Sequence, residues 1–446
     1  MTNLGWTGIV RLGLVQAALG AIVVLTTSTL NRVMVVELAW PAVVPGLLVT
    51  IHYLMQVTRP RMGFGSDLGG RSTPWITAGM ATLATGGTLA ALATAWMSTN
   101  RFGGLALAAL GFMLVGLGVS ACGTSLLVLL AKRVDPARRA AAATIVWMMM
   151  ILGFAVTAGL AGRSLDPYSP QRLVMVTGIV GALAFVLTLV ALFRLEGAAP
   201  AVAESAAGPE AVKPPFRTAL AQVWAEPAAR RFTVFVFVSM LAYSAQDLIL
   251  EPFAGAVFGF TPGESTSLAG VQHGGVLAGM IVGAFAGSRQ VFGTLRQWVV
   301  GGCIASAFAL GGLVAAGLVG AGWPLRATVF ALGAANGAFS IAAIASMMRL
   351  ASSGQNGREG VRMGLWGAAQ ALAFGAGGLA GTVAADIARA VIPSTGAAYA
   401  SVFGLEALLF IASAVLAARV DAPSVTAARR PSWRLAWQRS TPTMPS

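Results

Sequence analysis

Apolar residues run along this chain in stretches of twenty or more, separated by short turns rich in Arg, Gly and Pro. The stretches lack the strict alternation of a half-buried strand. Each is long enough to cross a hydrocarbon layer about 30 Å thick as a helix. Twelve spans are predicted, near 8–30, 41–58, 74–97, 104–131, 140–162, 172–194, 231–251, 265–287, 295–318, 325–350, 362–385 and 399–419. Backbone in lipid must satisfy its own hydrogen bonds, so the pattern describes an all-α polytopic membrane protein. One connection is long: 195–230 is rich in Ala, Pro and Glu and has no apolar period. It reads as a cytoplasmic linker between two six-helix halves, 1–194 and 231–419, related by an internal repeat, with a basic, Trp-containing tail at 420–446.

Composition sharpens the picture. Hydrophobic residues make up 57% of the chain and charged residues 10%. The net charge of +14 does not point to nucleic acid, because Lys and Arg gather in alternate loops between spans. Those loops are assigned to the cytoplasm, with both termini, and no removable signal peptide is read ahead of the first span. The tail interleaves Trp433 and Trp437 with Arg430, Arg434 and Arg439, a composition suited to the lipid interface. Cys122 and Cys303 are the only cysteines and lie inside spans, which argues against a disulfide framework or a cysteine metal site. Walker, H-E-x-x-H and calcium-loop patterns are absent, and no nucleophile accompanies the intramembrane carboxylates. The chain is read as a non-enzyme without a protein-only metal site.

Ionisable residues at membrane depth are costly and mark function by default. The densest group is Gln246, Asp247 and Glu251, whose two carboxylates lie one helical turn apart on one face. Span one carries Arg11, Gln16, Asn31 and Arg32, followed by Glu37. Aligning the halves sets Asn31-Arg32 opposite Gln246-Asp247, so Arg32 and Asp247 are expected to pair near the outer level and help close it. Pro252 is taken to end span seven, leaving Glu251, without a basic partner, as the better ligand-binding candidate. The only histidines, His52 and His273, fall in spans two and eight. Each is either a hydrogen-bonded core residue or an axial ligand for a metal or a pigment magnesium. Gln56, Gln272, Asn336, Gln370, Asp386 and Glu406 belong to the remaining intramembrane polar set.

Two resemblances add to this. Gly63, Asp67, Gly70 and Arg71 form G-x-x-x-D-x-x-G-R between spans two and three, which resembles the signature loop of the major facilitator superfamily. Leu68 stands where that loop usually has a basic residue, and the equivalent loop after span eight has no Asp. The run Gln246 to Phe253, the following Gly255, Val257-Phe258-Gly259 and Gly263-Glu264-Ser265-Thr266, and the blocks Ile9–Gln16 and Leu30–Leu38 resemble the PucC family over nearly the whole chain. The compact loop at 66–75 is closer to that family's branch labelled as a bacteriochlorophyll synthase chain than to its light-harvesting assembly members.

The resemblance implies a major-facilitator-like protein of the inner membrane of a photosynthetic bacterium. It would handle bacteriochlorophyll, with light-harvesting polypeptides or bacteriochlorophyll-synthesis enzymes as partners besides lipid. His52 or His273 would then ligate pigment magnesium. Asp247 and Glu251 would bind the magnesium or a polar edge of the macrocycle, or form a structural pair with Arg32. Two other readings stay open: a proton-coupled transporter of a small solute using Asp247 or Glu251, and a non-catalytic subunit of a pigment-synthesis enzyme.

Overall fold

A computed structural model describes residues 4–58, 71–135, 138–196, 221, 223–289, 293–353 and 359–419. Among them every regular element is helical. The long helices are α1 (Trp6–Glu37), α2 (Val43–Met55), α3 (Thr73–Trp96), α4 (Arg101–Arg133), α5 (Arg139–Leu165) and α6 (Pro170–Leu192), then α7 (Pro227–Phe258), α8 (Pro262–Arg289), α9 (Leu295–Val319), α10 (Leu325–Ser353), α11 (Glu359–Val391) and α12 (Thr395–Ala418). Eleven are long and apolar enough to cross a membrane. The twelfth, α2, has 13 helical residues, about 20 Å of rise.

Two boundary differences bear on the site. Helix α1 continues to Glu37, past the expected end near 30, so Arg32 lies within it, 2% exposed. Helix α7 continues through Pro252 to Phe258. Gly63, Asp67 and Gly70 of the signature loop, most of the expected linker and the basic tail lie outside the described residues; Arg71 is described and exposed.

Helix packing repeats between the halves. In the first half α1 packs on α5 and α6, α3 on α4 and α6, and α2 on α4; in the second, α7 packs on α11 and α12, α9 on α10 and α12, and α8 on α10. Shifting each helix by six maps one set onto the other. The halves meet along α2–α11 and α5–α8, a pair that the same shift exchanges, and along α1–α7. Side-chain contacts keep this register. Arg11 donates from α1 to the carbonyls of Ala191 and Phe193 at the end of α6, and Arg231 donates from α7 to that of Arg419 at the end of α12. Arg231 stands 220 positions after Arg11. That register sets Asn31 against Glu251, not against Gln246. Each cation satisfies terminal carbonyls that helices leave open.

Each half has its own core. Ile9, Leu12, Leu83 and Val146 belong to the first, and Phe235, Phe253, Phe339 and Phe410 to the second. Smaller clusters fill the seams: Leu248 and Ala269 join the first half's residues near Val33, and Ile151 meets Val276 and Met280 between α5 and α8. Lipid tails give helices little hydrophobic drive to associate, so close backbone approach matters. A Cβ on Gly279 of α8 would lie 2.0 Å from the Ala334 carbonyl oxygen of α10, whereas one on Gly301 would meet nothing within 4 Å. Gly279→Val is therefore expected to destabilise the protein by about 1–3 kcal/mol in detergent unfolding. Gly301→Val should leave the midpoint unchanged. Equal effects of the two would contradict the close α8–α10 approach.

Candidate functional site

The seam between α1 and α7 is built by irregular backbone on both sides. Helix α1 carries two π turns, Leu25–Thr29 and Val33–Glu37, flanking Leu30–Arg32. Helix α7 carries Pro252, which has no N–H to offer the Leu248 carbonyl four residues back. Asn31 supplies the missing donor: its Nδ2 reaches the Leu248 oxygen at 2.5 Å. This is why the proline does not end the helix. A carbonyl freed within a membrane span is tolerated where a neighbouring helix satisfies it.

Arg32 does not pair with Asp247, as the aligned halves suggest. Its guanidinium donates to Glu37 and to the Phe260 carbonyl. On a regular α-helix positions i and i+5 diverge by about 140°. The π turn at Val33–Glu37 brings Glu37 back over Arg32. Gly255 of α7 leaves room for the guanidinium, since a Cβ there would lie 3.0 Å from Nη2.

The carboxylates of α7 separate into two environments. Asp247 receives Gln272 Nε2 of α8 at 3.3 Å. Glu251 is 1% exposed; the hydroxyls of Ser28 and Ser265 lie beside it, yet neither carboxylate oxygen has a donor in hydrogen-bonding geometry. Gln246 is fully buried with both amide atoms unpartnered. Glu406 of α12 is also buried without a donor, close enough to Asp247 to feel its charge. Its place in the intramembrane polar set is visible in the sequence, but nothing there links it to Asp247.

The histidines lie on different helix pairs. On α2, His52 Nε2 and Gln56 Nε2 are 3.1 Å apart, and the His52 backbone packs where Gly116 of α4 lacks a side chain. On α8, His273 Nδ1 lies 2.8 Å from the Ala269 carbonyl, and the ring meets Phe154 of α5 edge-on at 4.9 Å. Nδ1 facing a carbonyl carries the hydrogen, which leaves the ring's lone pair on Nε2. The neighbouring Gly274 has open space where a side chain would be. Gln16 donates to the Met150 sulfur at 3.2 Å and ties α1 to α5.

Beyond Arg32, at the end of the bundle where α1 stops, a surface-open depression of about 730 Å³ caps the seam between the halves, lined by Glu37, Asp166, Tyr168, Phe260 and Glu264 among others. Burial and the Glu37 charge push the Tyr168 phenol up to about 12, partly opposed by Arg32. The hydroxyl therefore stays a donor at neutral pH.

This helix arrangement is the fold of solved membrane transporters. A solved bacterial homologue of the human drug peptide transporters PepT1 and PepT2 superposes with a TM-score of 0.67 over 93% of this chain and 97% of its own, at 14% identity. Within that architecture the chain belongs to the PucC family: residues 29–425 match the family model described as PUCC protein. It is 52% identical over 420 residues, 94% of this chain and 96% of the relative, to the Bacteriochlorophyll synthase 44.5 kDa chain of Rhodobacter capsulatus. It is 32% identical over 439 residues, 92% of this chain and 91% of the relative, to Protein PucC of Cereibacter sphaeroides. The PucC resemblance read from Gln246–Phe253 and from the blocks Ile9–Gln16 and Leu30–Leu38 is borne out.

The Asn31–Leu248 contact makes a distinct prediction. Asn31→Leu should cost about 1–3 kcal/mol by leaving a buried carbonyl unpaired. In a Pro252→Ala background, where residue 252 regains its N–H, the same change should cost much less. Unfolding in detergent measures both; an equal cost in the two backgrounds would contradict the contact's role.

Proposed function

We propose that this protein is a non-catalytic handler of bacteriochlorophyll, delivering pigment to light-harvesting antenna complexes or assisting their assembly. The observation that carries the reading is its 52% identity, over almost its whole length, to a relative named for bacteriochlorophyll synthesis, together with kinship to proteins named PucC. As a multi-pass protein it would reside in the inner or intracytoplasmic photosynthetic membrane. Its Arg-rich loops and both termini would face the cytoplasm.

Two histidines offer a nitrogen that a pigment magnesium could take, and His273 is the better candidate. His273 is buried and holds its ring through Nδ1, which leaves the Nε2 lone pair, and the next residue, Gly274, has open space where a side chain would be. A bacteriochlorophyll bound there would supply a magnesium needing one axial nitrogen and a flat face needing little relief. His52 fits less well, because its Nε2 lies within hydrogen-bonding distance of Gln56. Gln246, Asp247 and Glu251 are the remaining candidates for a polar edge of the macrocycle. Partners would be single-span light-harvesting polypeptides or pigment-synthesis enzymes.

A second reading is a proton-coupled transporter of a small solute, with Glu251 or Asp247 carrying the proton. Its support is the transporter architecture and the donor-free burial of Glu251. A third is a structural subunit of a synthesis enzyme. Gentle purification from the native membrane separates them. Co-purifying bacteriochlorophyll and antenna polypeptides are expected, with His273→Ala lowering bound pigment at least about fivefold and His52→Ala changing it little. A colourless protein that accumulates a solute in vesicles would overturn the reading in favour of the second. Capture of a synthesis enzyme alone, without pigment, would favour the third.

A further inference from the structure

We propose that Asp166 and Asp386 form a pair of latches, each holding the first turn of a helix in the opposite half, and that together they keep the end of the bundle opposite the termini shut. The two residues stand 220 positions apart, the register that also relates Arg11 to Arg231. Asp386 lies near the end of α11 in the second half. Its Oδ1 accepts the Ala42 N–H at 2.9 Å and its Oδ2 the Val43 N–H at 2.8 Å, at the start of α2 in the first half. Asp166 ends α5 in the first half. Its Oδ2 accepts the Thr261 hydroxyl at 3.0 Å, at the start of α8 in the second half.

Each contact suits its chemistry. The first N–H groups of a helix have no intrahelical acceptor, and a carboxylate there meets the positive end of the dipole. Thr261 and Glu264 already cap α8 reciprocally, Thr261 N–H to Glu264 at 2.9 Å and Glu264 N–H to Thr261 Oγ1 at 3.1 Å. Asp166 therefore takes the Thr261 hydroxyl hydrogen. Arg172 steadies Asp166 through its carbonyl.

Small residues complete each latch. A Cβ on Gly46 of α2 would lie 2.3 Å from Thr382 Oγ1 of α11, and one on Gly162 of α5 would lie 2.3 Å from Ser267 Oγ of α8. The two carboxylates thus close over two of the three seams where the halves touch, α2–α11 and α5–α8. Their strength is set by two part-buried hydrogen bonds at Asp386 and one exposed hydrogen bond at Asp166, which makes the closure reversible.

Glu196 supplies an internal comparison. Just past α6, it caps α3 through the N–H groups of Ser72 and Thr73 at 2.6 and 2.8 Å, the same chemistry without crossing a seam between the halves. The test places a reporter at Thr382, which is buried in the α2–α11 seam. In a Cys122→Ser, Cys303→Ser background, Thr382→Cys is labelled by a maleimide in detergent. Asp386→Ala and Asp166→Ala should each raise the labelling rate about fivefold, the factor that one lost helix cap represents, and the double change about 25-fold. Glu196→Ala should leave the rate at the reference level. Asp386→Asn, which keeps one acceptor, should stay within about twofold of it and serves if the alanine variant does not fold. Latch variants that fold and label at the reference rate would overturn the proposal. So would a Glu196→Ala rate equal to theirs, which marks general loosening.

Discussion

The Leu248 carbonyl is the point on which the seam between the halves depends. Pro252 removes its intrahelical donor, and the membrane interior offers no water to replace it. Asn31 fills the gap from α1, and the π turns on either side of Leu30–Arg32 shape the stretch that makes the contact. The same stretch sends Arg32 to the Phe260 carbonyl just past the end of α7. One backbone vacancy thus fixes how α1 and α7 meet. The carboxylate at Glu251 is buried in that seam as a consequence.

The polar residues that matter here do two kinds of work. Arg11, Arg231, Glu196, Asp166 and Asp386 close helix ends, within a half or across the seam. Glu251, Gln246 and Glu406 close nothing and lack hydrogen-bond partners while buried. Buried polar groups in that condition are uncommon and call for an explanation. Their placement in a chain of few charged residues makes α7 and its neighbours the candidate site under the proposed function.

Most of the fold was legible in the sequence, because a span is a length of apolar residues and a membrane tolerates few alternatives. The reading failed where a local rule depended on a distant partner. A proline ends a helix unless another chain segment satisfies the freed carbonyl, and Asn31 lies 217 residues away. Arg32 and Glu37 look misaligned until a π turn is known to lie between them. The repeat alignment by sequence set Asn31 against Gln246, whereas Arg11 with Arg231 and Asp166 with Asp386 set it against Glu251. At the candidate site, both histidines were visible as residues. What distinguishes them, Gln56 beside one Nε2 and the Ala269 carbonyl beside the other's Nδ1, is geometry that spacing alone leaves open.

A fold shared with solved transporters and a relative named for bacteriochlorophyll synthesis fit together if the bundle serves as a scaffold that presents pigment between its helices or on its lipid face. Transfer is the direct measure of that role. Purified protein loaded with bacteriochlorophyll in detergent would be mixed with pigment-free, single-span antenna polypeptides, and the near-infrared band of the assembled complex followed over time. The expected result is faster or fuller assembly than from the same amount of free pigment. Equal rate and yield with and without the protein would contradict the proposed function.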